Sequence, residues 1–124
     1  MGETAYWRLR PNAPQPGAPL GPAEEIAEGS AREYSFGRGR SAFRMFVVRH
    51  LREYRGYLNI CPHFSLPLNH EPDAFMSDGL IVCTRHFARF RPLDGMCVEG
   101  ACEGSHLDPV PVEIGADGML RIAG

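Results

Sequence analysis

Two cysteine–histidine pairs are the residues of this chain with the clearest potential for metal chemistry. Cys61 and His63 form a C-x-H pair, and Cys83 and His86 form a C-x-x-H pair after 19 intervening residues. Thiolates suit iron–sulfur clusters and zinc, whereas imidazoles suit iron, zinc and copper. The four candidate ligands, Cys61, His63, Cys83 and His86, therefore predict a metal or redox site built from two thiolates and two imidazoles.

Each pair directly follows a predicted β-strand, so each pair is expected at the tip of a loop. Residues 57–60 lead into Cys61, and the β-branched run at residues 80–82 leads into Cys83. Other strands are expected at residues 6–9, 26, 31–36, 41–49, 87–91, 110–114 and 119–122. Turns are expected at residues 29, 37–39, 56, 94–95 and 117–118.

The remaining segments contain little that favours helix. Five prolines in residues 11–22 predict an extended loop, because proline interrupts helices and central strands. A single helical turn is expected somewhere in residues 68–78. The pattern predicts an all-β sandwich or small barrel of short antiparallel strands.

A structural zinc site is the main alternative for the four candidate ligands. Such sites usually combine a C-x₂₋₄-C pair with an H-x₃₋₅-H pair, whereas here each cysteine is followed by its own histidine. Cys97 and Cys102 could form a disulfide or a second metal site, although reduced thiols are the expectation for a cytosolic chain. His50, His70 and His106 are interpreted as surface or capping residues.

Length, charge and hydropathy restrict the class of protein further. The 124 residues fit one domain, and the formal net charge of −2 gives no indication of nucleic-acid binding. No stretch approaches the roughly 20 apolar residues of a transmembrane helix, and the first residues lack the features of a signal peptide. We therefore expect a cytoplasmic protein without membrane or nucleic-acid partners.

The motifs resemble those of the Rieske ferredoxins and other small Rieske domain proteins. The resemblance covers roughly residues 20–122 and rests on residues 24–29, 57–63, 83–90 and 94–95. It implies a Rieske-type 2Fe–2S cluster held by Cys61 and Cys83 on a buried iron and by His63 and His86 on an outer iron. It also implies one domain over residues 1–124, with a cluster-binding subdomain at about residues 59–107 and the proline-rich loop at 11–22.

Departures from the family pattern predict a low reduction potential. Respiratory Rieske proteins carry an extra cysteine in each loop, where this chain has Leu66 and Arg85, and a serine after the second histidine. Here Phe87 and Ala88 offer no hydroxyl group, and Phe87 stands where the family usually has glycine. Fewer hydrogen bonds to the cluster predict a potential of about −150 mV, the low end of the Rieske range.

The resemblance favours a one-electron carrier that accepts electrons from a flavin-dependent or NAD(P)H-linked reductase and serves an oxygenase or similar enzyme. The alternatives are a small subunit of a larger oxidoreductase, such as a nitrite reductase complex, and a non-redox zinc module. The chain offers no nucleophile–base arrangement, phosphate loop or nucleotide fingerprint, so whether it is itself an enzyme stays open. Arg85, Arg89 and Arg91 are interpreted as either a docking patch for an acidic partner or an ordinary solvated strand face.

Overall fold

The computed structural model describes residues 6–60, 68, 75–83, 88–100 and 105–123. This part of the chain forms short strands and three brief 3₁₀ helices, and no helix in it is long and apolar enough to cross a membrane. The strands are β1 (Pro19–Pro22), β2 (Ala31–Phe36), β3 (Phe43–His50), β4 (Glu53–Leu58), β5 (Met76–Ser77), β6 (Leu80–Val82), β7 (Arg89–Phe90), β8 (Cys97–Glu99), β9 (Pro109–Val110), β10 (Val112–Ile114) and β11 (Met119–Ile122). The 3₁₀ helices are Tyr6–Leu9, Ala23–Glu25 and Gly39–Ser41.

The described strands form three antiparallel sheets, which confirms the predicted all-β class. Their strand orders are β1-β11-β10, β2-β3-β4-β9 and β5-β6-β7-β8. The third sheet consists of two- and three-residue strands and contains the residue that leads into Cys83. Both candidate ligand pairs therefore follow strands, as the sequence predicts.

The central strand β3 is buried on both faces, which explains its continuous apolar run. Met45 and Val47 pack into a core shared with the first sheet, whereas Phe46 and Val48 pack into a second core shared with the third sheet. Phe46 stacks on Phe75 with ring centroids 4.3 Å apart, joining the central sheet to the segment before β5. The third sheet, which leads into Cys83, is therefore anchored to the central sheet at β3 rather than at an edge strand.

The hairpin between β3 and β4 turns at Leu51 and Arg52, so the turn predicted at Gly56 is wrong. Both turn residues have positive φ, 53° and 68°, and both of their N–H groups donate to the Glu28 carboxylate at 2.6 and 3.0 Å. Gly56 instead lies inside β4, where an added Cβ would come within 2.4 Å of the Val110 carbonyl oxygen. The glycine is needed for close strand approach, which the sequence pattern alone does not separate from a turn signal.

Two further expectations near the N-terminus are corrected. Residues 6–9 form a 3₁₀ helix rather than a strand, because Trp7 turns inward and packs edge-on against Phe43. The last four residues of the proline-rich stretch form β1 rather than loop. This strand lies at the edge of its sheet, where proline does not interrupt a ladder on both sides.

Other predicted elements agree with the structure more closely. β2 has the predicted bounds, and β10 and β11 form a final hairpin around Asp117 and Gly118. The first strand of this hairpin begins at Val112 rather than residue 110, because Val110 belongs to β9 and pairs with Gly56 of β4. β3 begins at Phe43 rather than residue 41, because Ser41 ends a 3₁₀ helix. Ile26 follows the second 3₁₀ helix and is buried without being part of a strand. In the segment suggested for a helical turn, the described residues 76–77 form β5 instead.

Candidate metal centre

Cys83 is the one candidate ligand that lies within the described residues, and it is fully buried. Its backbone N–H donates to the Ala88 carbonyl oxygen at 2.8 Å, which extends the β6–β7 pairing by one step beyond Val82 and Arg89. Cys83 and Ala88 therefore bracket the segment that contains His86. Cys61, His63 and His86 lie outside the described residues, so their assignment as ligands stays a prediction.

The surroundings of Cys83 are apolar and closely packed. Its core neighbours include Leu68, Phe75 and Phe90, all at most 1% exposed. At Gly100, where φ is +102°, an added Cβ would lie 2.8 Å from the Ala88 Cα atom. A buried thiolate is costly unless it is paired or bound to a metal. Cys83 is therefore suited to act as a thiolate ligand to an inner iron that water does not reach.

Asn59 is a functional candidate that the sequence analysis did not identify. Its side chain is 1% exposed although it is polar, and it lies two residues before Cys61. The Oδ1 atom accepts the Leu68 N–H at 2.8 Å, and the Nδ2 atom donates to Glu33 Oε2 at 2.9 Å. The Asn59 N–H also donates to the Arg44 carbonyl oxygen at 2.9 Å. The available signal was a polar residue between the apolar Leu58 and Ile60, two positions before a candidate ligand.

Tyr57 in β4 contacts the turn between β7 and β8. Its hydroxyl donates to the Pro92 carbonyl oxygen at 2.7 Å, and burial raises the pKa of Tyr57 above its ordinary range. Gly95, with φ of +72°, passes so close that an added Cβ would lie 2.8 Å from the Tyr57 ring. The hydrogen bond and this contact hold the turn at residues 92–95, which the sequence predicts at Asp94 and Gly95, against the central sheet.

The described arginines near the second ligand pair have partners or are partly covered. Arg91 donates to both carboxylate oxygens of Asp94 across the turn, and Arg89 is half-buried in β7. Arg85 lies outside the described residues. The pairing of Arg91 favours a role within the turn, and the docking patch stays a prediction.

The described cysteine and histidines outside the candidate ligand set lie in different elements. Cys97 is buried in β8 with Sγ 3.3 Å from the Glu99 carbonyl oxygen, whereas Cys102 lies outside the described residues. His50 ends β3, and exposed His106 places Nδ1 3.0 Å from the Leu107 carbonyl oxygen. His70 lies outside the described part of the chain.

Three antiparallel sheets with a buried cysteine between β6 and β7 define the class as a small all-β protein with one candidate metal ligand in its core. Residues 18–112 match the Rieske [2Fe-2S] domain, which is most of the chain, and the chain belongs to that family. The cofactor of the family is a Rieske-type 2Fe–2S cluster, and this is the cofactor of the present chain. The buried thiol of Cys83 suits this group.

Known proteins with related sequence or fold include redox components. A Haloferax mediterranei protein described as a respiratory nitrate reductase subunit Rieske is 31% identical over 71 residues, which are 57% of this chain and 30% of that protein. A chain in a complex of reduced oxygenase and oxidized ferredoxin in carbazole 1,9a-dioxygenase superimposes with a TM-score of 0.70 at 21% identity, covering 90% of this chain and 95% of that one. The ferredoxin of carbazole 1,9a-dioxygenase from Nocardioides aromaticivorans IC177 gives 0.64 at 17% identity, covering 88% and 98%. The structural matches establish the shared fold.

Proposed function

We propose that this chain is a one-electron carrier whose cluster is held by Cys61 and Cys83 on an inner iron and by His63 and His86 on an outer iron. The observation that carries the proposal is the complete burial of Cys83 at the end of β6, in a chain of the Rieske family. A thiolate ligand in a dry site suits the inner iron, whereas imidazoles suit an outer iron from which electrons leave.

The bound cluster supplies the exchange of a single electron, and the protein supplies ligation, burial and orientation. Leu68 and Phe75 contribute to the apolar core around Cys83 and exclude water from that side. Asn59 and the Cys83–Ala88 hydrogen bond hold the strand ends from which the ligand segments depart. Because only an electron is exchanged, this function requires no substrate pocket in the chain.

A low reduction potential accompanies this proposal. Ala88 is fully buried and has no hydroxyl group, so it cannot donate a hydrogen bond to the cluster as a serine could. Fewer hydrogen bonds to the sulfurs favour a midpoint potential of about −150 mV. Protein-film voltammetry measures this value directly, and a potential near the upper end of the Rieske range would contradict it.

The ligand set is testable by substitution and spectroscopy of the whole protein. Cys61→Ser, His63→Ala, Cys83→Ser and His86→Cys are each expected to abolish or change the visible and EPR signals of the cluster. Cys97→Ser and His106→Asn are matched controls, because they alter a thiol and an imidazole outside the proposed set. An unchanged spectrum in any of the first four variants would overturn the assignment of that residue.

The electron acceptor is proposed to be an oxygenase, with a flavin-dependent reductase as donor and the cytoplasm as location. The fold shared with a ferredoxin of a carbazole dioxygenase system supports this choice. Stopped-flow mixing of the reduced protein with a Rieske-type terminal oxygenase should oxidise it within seconds. Retention of the electron with every such oxygenase tested, but rapid oxidation by a larger reductase complex, would contradict the proposal.

A subunit of a larger oxidoreductase is the second candidate function. The Haloferax relative described as a respiratory nitrate reductase subunit supports it, and the matched region is 30% of that protein. The sequence analysis suggested a nitrite reductase complex, whereas the description of this relative names a nitrate reductase. Stable co-purification with a large catalytic subunit would favour this candidate over a free carrier.

A further inference from the structure

We propose that Asn59 is the positioning residue of the first ligand segment and that it couples this segment to the surface ion pair of Arg44 and Glu33. The inference rests on the proposed ligand set, in which Cys61 and His63 belong to that segment. It adds a defined path by which charges at the protein surface influence the cluster.

The hydrogen bond between Asn59 and Leu68 closes the first ligand segment at both ends. Asn59 Oδ1 lies 2.8 Å from the Leu68 backbone nitrogen, and the two residues are nine positions apart. Leu68 is fully buried, as is the site of the hydrogen bond. Both ends of the segment that contains Cys61 and His63 are therefore tied to one side-chain amide.

The other end of the Asn59 amide is tied to a carboxylate that reaches the surface. Glu33 Oε2 accepts from Asn59 Nδ2 at 2.9 Å, from Arg44 Nε at 3.0 Å and from Arg44 Nη2 at 2.8 Å. The Glu33 side chain is 15% exposed, whereas that of Arg44 is 44% exposed. One chain of hydrogen bonds thus runs from solvent to the base of the ligand segment.

Only an amide of this length satisfies both neighbours. Asn59 accepts from a backbone N–H and donates to a carboxylate, so it uses the two different ends of its side chain. Aspartate could still accept from Leu68 but would face Glu33 with a second negative charge. Alanine would remove both of these hydrogen bonds at once.

Reciprocal substitution separates positioning from simple packing. In Asn59→Asp the carboxylates at positions 59 and 33 repel each other, and in the double variant with Glu33→Gln a donor again faces an acceptor. The amide nitrogen introduced at position 33 takes the place of Oε2, which accepts from both Asn59 and Arg44 in the wild type. It donates to the carboxylate introduced at position 59 while Arg44 turns to the remaining oxygen, and Glu33→Gln alone is the reference for this altered Arg44 contact. Glu25→Gln is the matched control, because it removes a carboxylate paired with Arg32 at 3.2 Å in a different, exposed ion pair.

Four readouts of the cluster-loaded protein test the inference: amide exchange at Leu68, cluster loss, midpoint potential and EPR features. Asn59→Ala should accelerate amide exchange at Leu68 by roughly tenfold, because the acceptor of that N–H is removed, whereas Asn59→Asp keeps an acceptor. Both variants should accelerate cluster loss by about tenfold. Both should also shift the midpoint potential and broaden the EPR features. The double variant should recover the potential and cluster lifetime of Glu33→Gln alone, and Glu25→Gln should leave all four readouts unchanged.

Either of two results would overturn the inference. If Asn59→Asp keeps the wild-type potential, EPR spectrum and cluster lifetime, Asn59 does not position the ligand segment. The same follows if the double variant is as impaired as the single one. Failure of the proposed function is distinguishable, because the wild-type protein would then lack a Rieske EPR signal altogether.

Discussion

Tyr57 is a single residue whose hydroxyl joins the central sheet to the turn beside the site region. The 2.7 Å hydrogen bond to the Pro92 carbonyl oxygen is buried. We expect Tyr57→Phe to lower the free energy of unfolding by about 1–2 kcal/mol, because an acceptor loses its donor in a buried place. Urea unfolding measures this loss. Tyr54→Phe is the control, since its longer, part-buried bond to the Ala23 carbonyl, 3.2 Å, should matter less.

The same residue predicts how stability changes at alkaline pH. Burial raises the pKa of Tyr57, so its phenol stays protonated in the folded chain at a pH where the unfolded chain ionises. Its contribution to the free energy of unfolding is complete below the unfolded pKa of about 10 and declines as the pH rises above it. The unfolding midpoint should therefore fall above about pH 10 more steeply in the wild type than in Tyr57→Phe. Parallel slopes would contradict this origin.

At the residue scale, the sequence offers candidate ligands but gives no sign of the hydrogen bonds that Asn59 makes. Cys83 was predicted because its histidine lies three positions away, which is a local pattern. Asn59 depends on partners 26 and 9 positions away, and Glu33 becomes its neighbour only when β2, β3 and β4 align. Such a role depends on strand register, which no local pattern specifies.

The β3–β4 turn has a backbone conformation that its own two residues disfavour. Leu51 and Arg52 both adopt left-handed conformations, which favour Asn-Gly in a two-residue hairpin turn. Replacing them by Leu51→Asn and Arg52→Gly should raise the free energy of unfolding by about 1–2 kcal/mol, because the strain of two side chains is relieved. Thermal unfolding tests this. A loss of stability would show that the Glu28 contacts depend on the native pair.

Carboxylates in three turns predict a common response to acid. The pKa values of Glu28, Asp94 and Asp117 are lowered, in each case chiefly by hydrogen bonds from backbone N–H groups of the turn that each carboxylate contacts. Their stabilising effect is present above the unfolded pKa values near 4 and is lost as the pH falls through the lower folded values. The urea midpoint should fall below about pH 4.

The matched test of this acid response removes the three titrating groups together. A variant with Glu28→Gln, Asp94→Asn and Asp117→Asn should be less stable at pH 7 and should show a shallower decline in its urea midpoint below pH 4. An undiminished decline would assign the acid sensitivity to other carboxylates.

Element prediction succeeded where periodicity and burial coincide. The bounds of β2 and β11 and the turn between β10 and β11 follow from residue type and turn signals, whereas the division of residues 110–114 between β9 and β10 does not. It failed at Gly56 and at residues 6–9, because close strand approach and the inward packing of Trp7 are tertiary effects. The Glu28 carboxylate, 23 and 24 positions from the N–H groups it accepts, likewise stabilises a turn that its own residues disfavour.

At the scale of the whole molecule, the described chain has two hydrophobic cores, and one of them surrounds Cys83. One core joins the first sheet to the central sheet, and the other joins the central sheet to the short strands around Cys83. Because β3 contributes to both, the site region is supported by the longest strand of the described chain. Strand and turn patterns predicted the all-β class, and two motifs gave the candidate ligands, which stay a prediction. The division into two cores depends on which neighbours the two faces of β3 contact, and these come from distant parts of the chain.

The measurement that tests the central claim most directly is EPR and visible spectroscopy of the anaerobically purified protein, before and after reduction with dithionite. A Rieske cluster held by two cysteines and two histidines should give a coloured protein and, after reduction, a rhombic signal with a low average g value. A colourless, EPR-silent protein that contains zinc would contradict the account.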